Sequence, residues 1–160
     1  MALSLVDKIT NELDTQNFSL GIFIDLSKAF DILDHNILLN KLAHYGIREV
    51  VNDWFHSYLS DQLQFVSIGS ASSSQCIIKR GVPQGSILGP LLFIIYINDI
   101  VNVTKFMSLI LYADDTNMFL SNSDADLLIH NANSEHDKLS KWFAANKLSL
   151  IFRKQISFYF

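Results

Sequence analysis

Two adjacent carboxylates, Asp114 and Asp115, follow one apolar, strand-like run and precede another. Crowding two like charges costs free energy, because each carboxylate disfavours the ionised form of the other. A sequence that only had to turn at this point would be expected to carry Asn-Gly or Asp-Gly. The pair therefore indicates a site that needs a divalent cation. The alternative is a solvated loop, since aspartate is also common in turns.

A third acid, Asp25, stands at the end of a different apolar run. With the two-residue alternation of a strand, Phe23 and Asp25 share one face, while Ile22 and Ile24 share the other. Mg²⁺ takes oxygen ligands, commonly one or two carboxylates together with substrate phosphates. Asp25 and the Asp114–Asp115 pair would supply such a set. Alternatively, Asp25 caps the turn that follows it.

The segment from Gly81 to Pro90 is a loop, punctuated by glycine and proline, that leads directly into an apolar run. Gly81 and Gly85 permit close approach of a ligand to the backbone. Gln84 offers neutral hydrogen-bonding groups, and Pro90 suits the first turn of the helix that would follow. On its own, the segment is equally compatible with an ordinary loop before a helix.

In this order and spacing, the three segments resemble the palm of a reverse transcriptase. Residues 23–31 are similar to motif A of that family, residues 81–86 to motif B and Tyr112–Asp115 to motif C. The resemblance is to the non-LTR (LINE-type) retrotransposon branch in particular. The pattern of that branch includes several more segments of the chain, which are Asp34–His35, Trp54–Leu59, Tyr96–Ile100, Trp142 and Asn146–Leu150.

The resemblance implies RNA-templated DNA synthesis, in which a nucleotide passes from a deoxynucleoside triphosphate to a primer 3′-hydroxyl. Asp25, Asp114 and Asp115 would be the catalytic residues and would bind two Mg²⁺ ions, for which Mn²⁺ is a possible substitute. The implied partners are an RNA template, a DNA primer and deoxynucleoside triphosphates, with no membrane. An intracellular location, in the nucleus or cytoplasm, is what the family leads us to expect.

The resemblance also implies a set of substrate-binding residues. Phe30 would place its ring under the incoming sugar, where it would clash with a 2′-hydroxyl and so favour deoxynucleotides; its alternative role is core packing. Lys154 stands where the family has a lysine that protonates the leaving pyrophosphate, although the residues flanking it differ from the family pattern. The remaining members are Gln84, Gly85 and Tyr112.

Periodicity and turn residues predict an α+β fold, a two-layer sandwich of mainly antiparallel sheet with helices packed on one face. That is the architecture of the reverse-transcriptase palm, which the resemblance also implies. Residues 1–160 would form a single, partial reverse transcriptase domain that lacks most of the fingers and the thumb. The predicted elements are a strand in motif A, helices at about 3–16, 36–45, 49–59 and 124–146, a helix after motif B, hairpins at 62–80 and 108–120, and a last strand or strand pair from 148. Gly46 is the stop signal of the helix at 36–45. The short run Ser70–Ser74 is expected to form the turn of the first hairpin.

Composition indicates a folded protein, with 49% hydrophobic and 18% charged residues. A net charge of −4 does not favour nucleic-acid binding, which depends on cationic contacts to phosphate. Lys79-Arg80 and Arg153-Lys154 are candidate phosphate contacts or, alternatively, solvated charges. The single cysteine, Cys76, excludes a disulfide framework and a zinc knuckle.

Two functional classes stay open. The first is an RNA-templated DNA polymerase domain, which we expect to be weak or inactive in isolation, because triphosphate binding and primer grip need further segments. The second is a catalytically dead retroelement remnant that folds and binds metal or nucleic acid weakly. An RNA-recognition module would carry aromatic residues in a basic central strand, and the sequence has no such strand.

Overall fold

The computed structural model describes residues 10, 17–26, 30–83, 85–112, 115–149 and 151–158, with the backbone alone at Asp25, Tyr112, Asp115 and 151–158. The chain divides into two compact units, one formed by Met1–Ser27 with Asp99–Phe160 and the other by Lys28–Asn98. Two compact units can belong to one domain, so the single domain over 1–160 stays a prediction.

Helices and antiparallel strands alternate along the described part of the chain, which agrees with the predicted α+β class. The elements in chain order are β1 (Phe18–Asp25), α1 (His35–His44), α2 (Glu49–Leu59), β2 (Leu63–Gln64), β3 (Ser67–Ile68), β4 (Ala71–Ser72), β5 (Cys76–Ile77), α3 (Leu88–Ile97), a 3₁₀ helix (Asn98–Asn102), β6 (Ser108–Tyr112), β7 (Asp115–Asn122), α4 (Ala125–Ala145) and β8 (Ile151–Phe158). No helix among the described residues is both long and apolar enough to cross a bilayer.

Within the described residues, the first unit contains a four-stranded sheet in the order β6-β7-β1-β8, and every pairing is antiparallel. α4 contacts β7 and β1, the two central strands. In β1, Ile22 and Ile24 are buried while Phe23 between them is half-buried. The registered partners of these isoleucines, Met118 and Thr116, are buried as well. The predicted alternation of this strand is therefore confirmed, with one face in the core.

Within its described residues, the second unit contains α1, α2, α3 and two short hairpins, β2 with β5 and β3 with β4. α1 contacts both α2 and α3. Leu38 and Leu42 of α1 and Leu92, Phe93 and Tyr96 of α3 have no exposed surface. The strand residues of both hairpins are exposed. The core of this unit is therefore helical.

Two helices begin after an aspartate whose carboxylate accepts hydrogen bonds from backbone N–H groups of the first turn, which have no acceptor within the helix. The Asp34 carboxylate accepts hydrogen bonds from the second and third backbone N–H groups after it, at 3.1 and 3.2 Å, and begins α1. Asp124 does the same for α4, at 2.9 and 3.2 Å. Without a side-chain acceptor, those amides would have to be satisfied by water.

The C-termini of α1 and α4 share a Schellman motif, in which a residue of positive φ follows the C-cap. That residue is Gly46 in α1, with φ +91°, and Lys147 in α4, with φ +54°. The pairs of backbone bonds that close the two ends are Gly46 N to Ala43 O with Ile47 N to Leu42 O, and Lys147 N to Ala144 O with Leu148 N to Phe143 O, all between 2.9 and 3.1 Å. The stop signal predicted at Gly46 is confirmed.

The helices at 49–59 and 124–146 are confirmed, and that at 36–45 begins and ends one residue earlier. The hairpin at 62–80 divides into two hairpins with strands of two residues each. The expectation that Ser70–Ser74 forms its turn is wrong, because Ala71–Ser72 is a strand and the turn lies at Gly69–Ser70, where Gly69 takes φ +61°. The first predicted helix lies outside the described residues, except for Thr10.

Candidate active site

Asp25 and Asp115 are directly opposed across the two central strands of the sheet. Asp25 is the last residue of β1 and Asp115 is the first of β7, and the antiparallel register pairs them. Opposed residues of such strands have Cα atoms about 4.5–5.5 Å apart and share a face of the sheet. Two of the three predicted acids, remote in sequence, therefore occupy neighbouring positions at one end of the sheet.

The third acid, Asp114, belongs to the connection between β6 and β7. Tyr112 pairs with Asp115 as the last rung of that hairpin, so that Ala113 and Asp114 connect the two strands. Both connecting residues lie outside the described residues. A two-residue connection is the tightest common hairpin link, and Asp114 is bonded directly to Asp115. The predicted motif C hairpin is therefore confirmed in its strands and pairing.

Lys154 lies on the opposite neighbour of β1. β8 pairs with β1 so that Lys154 is opposite Phe23, two residues before Asp25. The register then shifts, and Asp25 is paired with Ile151, so that one extra residue of β8 is accommodated between the two pairs. Lys154 is thus on the strand next to Asp25, opposite a residue two positions before it. Its role as a proton donor stays a prediction.

The alternative role of Asp25, as a cap of the following turn, stays open, because its side chain is not among those described. Among the side chains that the structure does describe, no three of His, Cys, Asp or Glu lie together as a metal site would require. The three predicted ligands are not members of that set. The metal site is therefore a prediction that rests on backbone register.

In the second unit, residues 30–35 bind the start of the motif B loop through backbone hydrogen bonds. The N–H of Gly81 donates to the carbonyl of Leu33 at 2.7 Å, and the N–H of Val82 donates to the carbonyl of Phe30 at 2.8 Å. The residues just outside these bonds, Asp34 and Arg80, form an isolated antiparallel bridge. Residues 30–34, from the end of motif A onward, and residues 80–82, at the start of motif B, therefore lie side by side and are joined by hydrogen bonds.

Gly81 and Gly85 both have positive φ, but their surroundings differ. A Cβ on Gly81 would lie 2.7 Å from the carbonyl oxygen of Asp31, closer than real Cβ contacts come. At Gly85, an added Cβ would meet nothing within 4 Å. The close approach that requires glycine at Gly81 is therefore made by the chain's own backbone, whereas Gly85 is exposed and leaves space for a ligand. Gln84, between them, lies outside the described residues.

His35 adds a side-chain hydrogen bond to the same junction. Its Nε2 is 2.7 Å from the carbonyl oxygen of Gly81, and since a carbonyl only accepts, Nε2 is the donor. The Asp34 N–H points to the hydroxyl of Tyr96, a buried residue of α3, at 3.4 Å. Sequence reasoning gave these three residues no role. The available signal was that Asp34–His35 and Tyr96 belong to the pattern of the retrotransposon branch.

Phe30 is half-buried and packs on α3. Its ring centroid lies 5.0 Å from that of Phe93, with the planes tilted by 39°, and Phe93 is completely buried. This contact supports the packing role that was the alternative for Phe30. Because Phe30 is only half-buried, this contact does not exclude the substrate role, which stays a prediction.

An open cavity of about 860 Å³ borders the motif B loop within the second unit. Lys79 and Arg80 stand on its lining, together with the apolar side chains of Phe65 and Val66 and the backbone of Gly81. Both of those apolar residues are more than half exposed. The cavity is therefore lined by two cationic residues, one acidic residue, Asp31, and apolar side chains beside the loop that follows Gly81.

The chain is similar in sequence to curated proteins of retrotransposons. The chain is 31% identical over 102 residues to a probable RNA-directed DNA polymerase from transposon BS of Drosophila melanogaster, a match that covers 60% of this chain and 10% of the relative. It is 30% identical over 80 residues to a Pol polyprotein from the type-1 retrotransposable element R2 of Popillia japonica, covering 50% of this chain and 13% of the relative. The matched segments thus span about a tenth of the length of these curated relatives.

The fold is similar to that of telomerase from Candida albicans, solved in complex with a fragment of telomeric RNA. The TM-score is 0.70 at 13% sequence identity, over 99% of this chain and 30% of the telomerase chain. This likeness supports the palm-like α+β fold that was predicted. The family model described as reverse transcriptase (RNA-dependent DNA polymerase) matches residues 3–156. Since that match covers nearly the whole sequence, the chain belongs to the reverse transcriptase family.

Proposed function

We propose that this chain forms the catalytic palm for RNA-templated DNA synthesis. In the reaction, a primer 3′-hydroxyl attacks the α-phosphorus of a deoxynucleoside triphosphate, a phosphodiester bond forms, and pyrophosphate leaves. The observation that carries the proposal is the pairing of Asp25 with Asp115 beside the tip of the β6–β7 hairpin. Carboxylates brought together at one sheet end, in a chain of this family, are suited to cations that bind phosphates.

The acids fit a pair of Mg²⁺ ions, with Asp25 and Asp114 as the principal ligands and Asp115 as a further one. The register supports this assignment, because two like charges at opposed positions repel each other unless a cation lies between them. Bound there, two Mg²⁺ ions would lower the pKa of the attacking hydroxyl and neutralise charge on the leaving group. Mn²⁺ has the same charge and oxygen preference, and is the expected substitute.

The substrate side of the proposal uses residues of motifs A, B and C, together with Lys154. The ring of Phe30 would lie under the incoming sugar and exclude a 2′-hydroxyl. Gln84 and Gly85 would line the base pair between template and incoming nucleotide, and the exposed, positive-φ backbone of Gly85 supports this. Tyr112, in the last rung of the β6–β7 hairpin, would be a further substrate-binding residue. Lys154 would donate a proton to the departing pyrophosphate.

Nucleic acid would be held by few charges in this segment. Lys79 and Arg80, beside the open cavity, are the candidate contacts for template phosphates. The net charge of −4 does not favour binding to nucleic acid, and we expect triphosphate binding and primer grip to need further segments of a longer polypeptide. For this reason we expect the 160-residue chain alone to be weakly active or inactive.

The test is primer extension on an RNA template with Mg²⁺ and deoxynucleoside triphosphates. The chain would be assayed alone and within a full-length relative, in place of the matching segment, as wild type and as Asp114→Asn. Asp137→Asn is the matched control, because that carboxylate is 78% exposed on α4. The proposal requires extension by the wild type in the full-length setting, its loss in Asp114→Asn and its retention in Asp137→Asn.

The competing function is that of a catalytically dead remnant, and the same assay distinguishes it. A remnant would leave the wild type and Asp114→Asn equally inactive in the full-length setting, while the parent relative extends the primer. Equal activity of the two would instead refute the catalytic role of Asp114.

A further inference from the structure

We propose that His35 is a positioning residue that fixes the motif B loop against residues 30–35, the segment that begins at the end of motif A. In this way it sets how tightly the incoming nucleotide is bound. The inference rests on the proposed function, since it assigns His35 a part in nucleotide binding. It concerns a side chain to which the proposed mechanism gives no part in the chemistry. Its evidence is a set of hydrogen bonds that all meet at Gly81.

Both backbone polar groups of Gly81 are bonded to the segment that follows Phe30. The N–H donates to the carbonyl of Leu33 at 2.7 Å, and the carbonyl accepts from His35 Nε2 at 2.7 Å. The Cα of Gly81 faces the Asp31 backbone so closely that a side chain would clash. Two hydrogen bonds and this close contact leave the Gly81 backbone little freedom to move. The position at which the motif B loop starts is therefore fixed.

The position of His35 is itself fixed. It is the first residue of α1, directly after the N-cap Asp34, whose carboxylate binds two amides of that helix. The imidazole is half-buried, and its bond to Gly81 spans 46 residues of sequence. Because the cap fixes the start of α1, the imidazole links the start of this helix to the motif B loop.

His35 would affect the nucleotide through the residues that follow Gly81. Val82, the next residue, is buried and donates its N–H to the carbonyl of Phe30. Gln84 and Gly85, which follow it, are the proposed lining of the incoming base pair. Loss of the His35 bond would therefore let Phe30 and the loop move apart. Weaker nucleotide binding and poorer rejection of ribonucleotides would follow, with chemistry at the acids left intact.

The test compares His35→Leu, His35→Gln and the wild type in the full-length setting. Leucine removes the donor, whereas the glutamine amide can supply one at a similar distance from the backbone. His44→Leu is the matched control, because His44 is an exposed histidine at the other end of α1. The readouts are KM for deoxynucleotides, kcat, and the preference for deoxynucleotides over ribonucleotides.

We expect His35→Leu to raise KM by about three- to tenfold, the range that one hydrogen bond is worth. It should lower sugar preference as well, with kcat changed less than twofold. His35→Gln should restore most of both, and His44→Leu should match the wild type. Amide hydrogen exchange on the 160-residue chain gives a readout independent of activity, in which His35→Leu should speed exchange at Gly81 and Val82.

The inference is overturned if His35→Leu has wild-type KM and sugar preference, whether or not exchange is faster, since the bond is then only structural. Unchanged exchange would overturn it as well, because the loop would then keep its position without the hydrogen bond from His35. If the wild type extends no primer, the proposed function fails and the inference falls with it. Activity in the wild type with no effect in His35→Leu isolates failure of the inference alone.

Discussion

The backbone of Asp31 lies against Gly81 so closely that a Cβ at Gly81 would be 2.7 Å from the Asp31 carbonyl oxygen. The contact joins two segments that the sequence shows only as separate motifs. It also explains why glycine is needed at this position. A side chain would have to displace backbone, which cannot move aside as a flexible side chain can.

Gly81→Ala is therefore expected to destabilise the protein far more than Gly85→Ala, although both glycines have positive φ. A non-glycine residue in this conformation costs about 1–2 kcal/mol, which applies to both substitutions. The clash at Gly81 should add about 2 kcal/mol or more, as overpacking does. Urea denaturation of the two variants measures the difference, and equal losses of stability would contradict the contact.

Gly46 and Lys147 occupy equivalent Schellman positions, so opposite substitutions should have opposite effects. Positive φ costs a residue with a Cβ about 1–2 kcal/mol. That cost exceeds the roughly 0.4–1 kcal/mol by which a glycine lowers the free energy of unfolding, because a glycine gives the unfolded chain more conformational entropy. Lys147→Gly should therefore raise the free energy of unfolding by up to about 1 kcal/mol, and Gly46→Ala should lower it by a similar amount.

An added Cβ at Gly46 would meet nothing within 4 Å, so steric overlap does not obscure the comparison. Thermal unfolding of both variants in one buffer is the measurement. Stability changes of the same sign in the two variants would show that backbone conformation does not control these helix ends.

Glu135 is a buried carboxylate that joins α4 to the segment before β6. Its Oε2 accepts from the N–H of Lys105 at 2.9 Å and its Oε1 from Lys138 Nζ at 2.7 Å, and the side chain has no exposed surface. Lys138→Met should cost about 2 kcal/mol, since it removes the cationic partner of a buried charge. In a Glu135→Gln background the same change should cost little, because no charge is left to compensate.

The double-mutant cycle from chemical denaturation measures this coupling, which we expect at about 1–2 kcal/mol. Lys141→Met, on the exposed side of α4, is the matched control and should be neutral in both backgrounds. A coupling near zero would mean that Lys138 acts as an ordinary surface residue.

Phe30→Val should admit ribonucleotides in the full-length setting, because a smaller side chain leaves space for a 2′-hydroxyl. Phe30→Tyr keeps the ring and should keep the preference for deoxynucleotides. The measurement is the ratio of kcat/KM for the two nucleotide types. If valine lowers stability through the lost Phe93 contact but leaves that ratio unchanged, Phe30 serves packing alone.

Features set by neighbouring residues were predictable from the sequence. The alternation in β1 and the helices Glu49–Leu59 and Ala125–Ala145 follow from local periodicity, and the second helix also has a capping side chain at Asp124. The turn in the second unit was misplaced, because a run of serines suggested it whereas the positive φ at Gly69 determines it. The proximity of Asp25 and Asp115 was expected from the family motifs, since alternation alone does not specify which strands pair.

The His35–Gly81 bond could not be predicted, because it joins residues 46 apart through a side chain whose type fits many surface roles. The same limit applies to Gly81. A glycine in a loop indicates permissive backbone or close approach, but not what approaches. Here it is Asp31, and only the folded arrangement shows that.

The central claim is that Asp25, Asp114 and Asp115 jointly bind divalent cations, and Mn²⁺-induced broadening of amide NMR signals tests it most directly. Substoichiometric Mn²⁺ should broaden Ile24 and Thr116, which flank the pair, and leave Phe18 and Asn122 sharper at the far end, about 23 Å away along the strands. Asp25→Asn should abolish the effect. Broadening centred elsewhere, or unchanged in Asp25→Asn, would contradict the account.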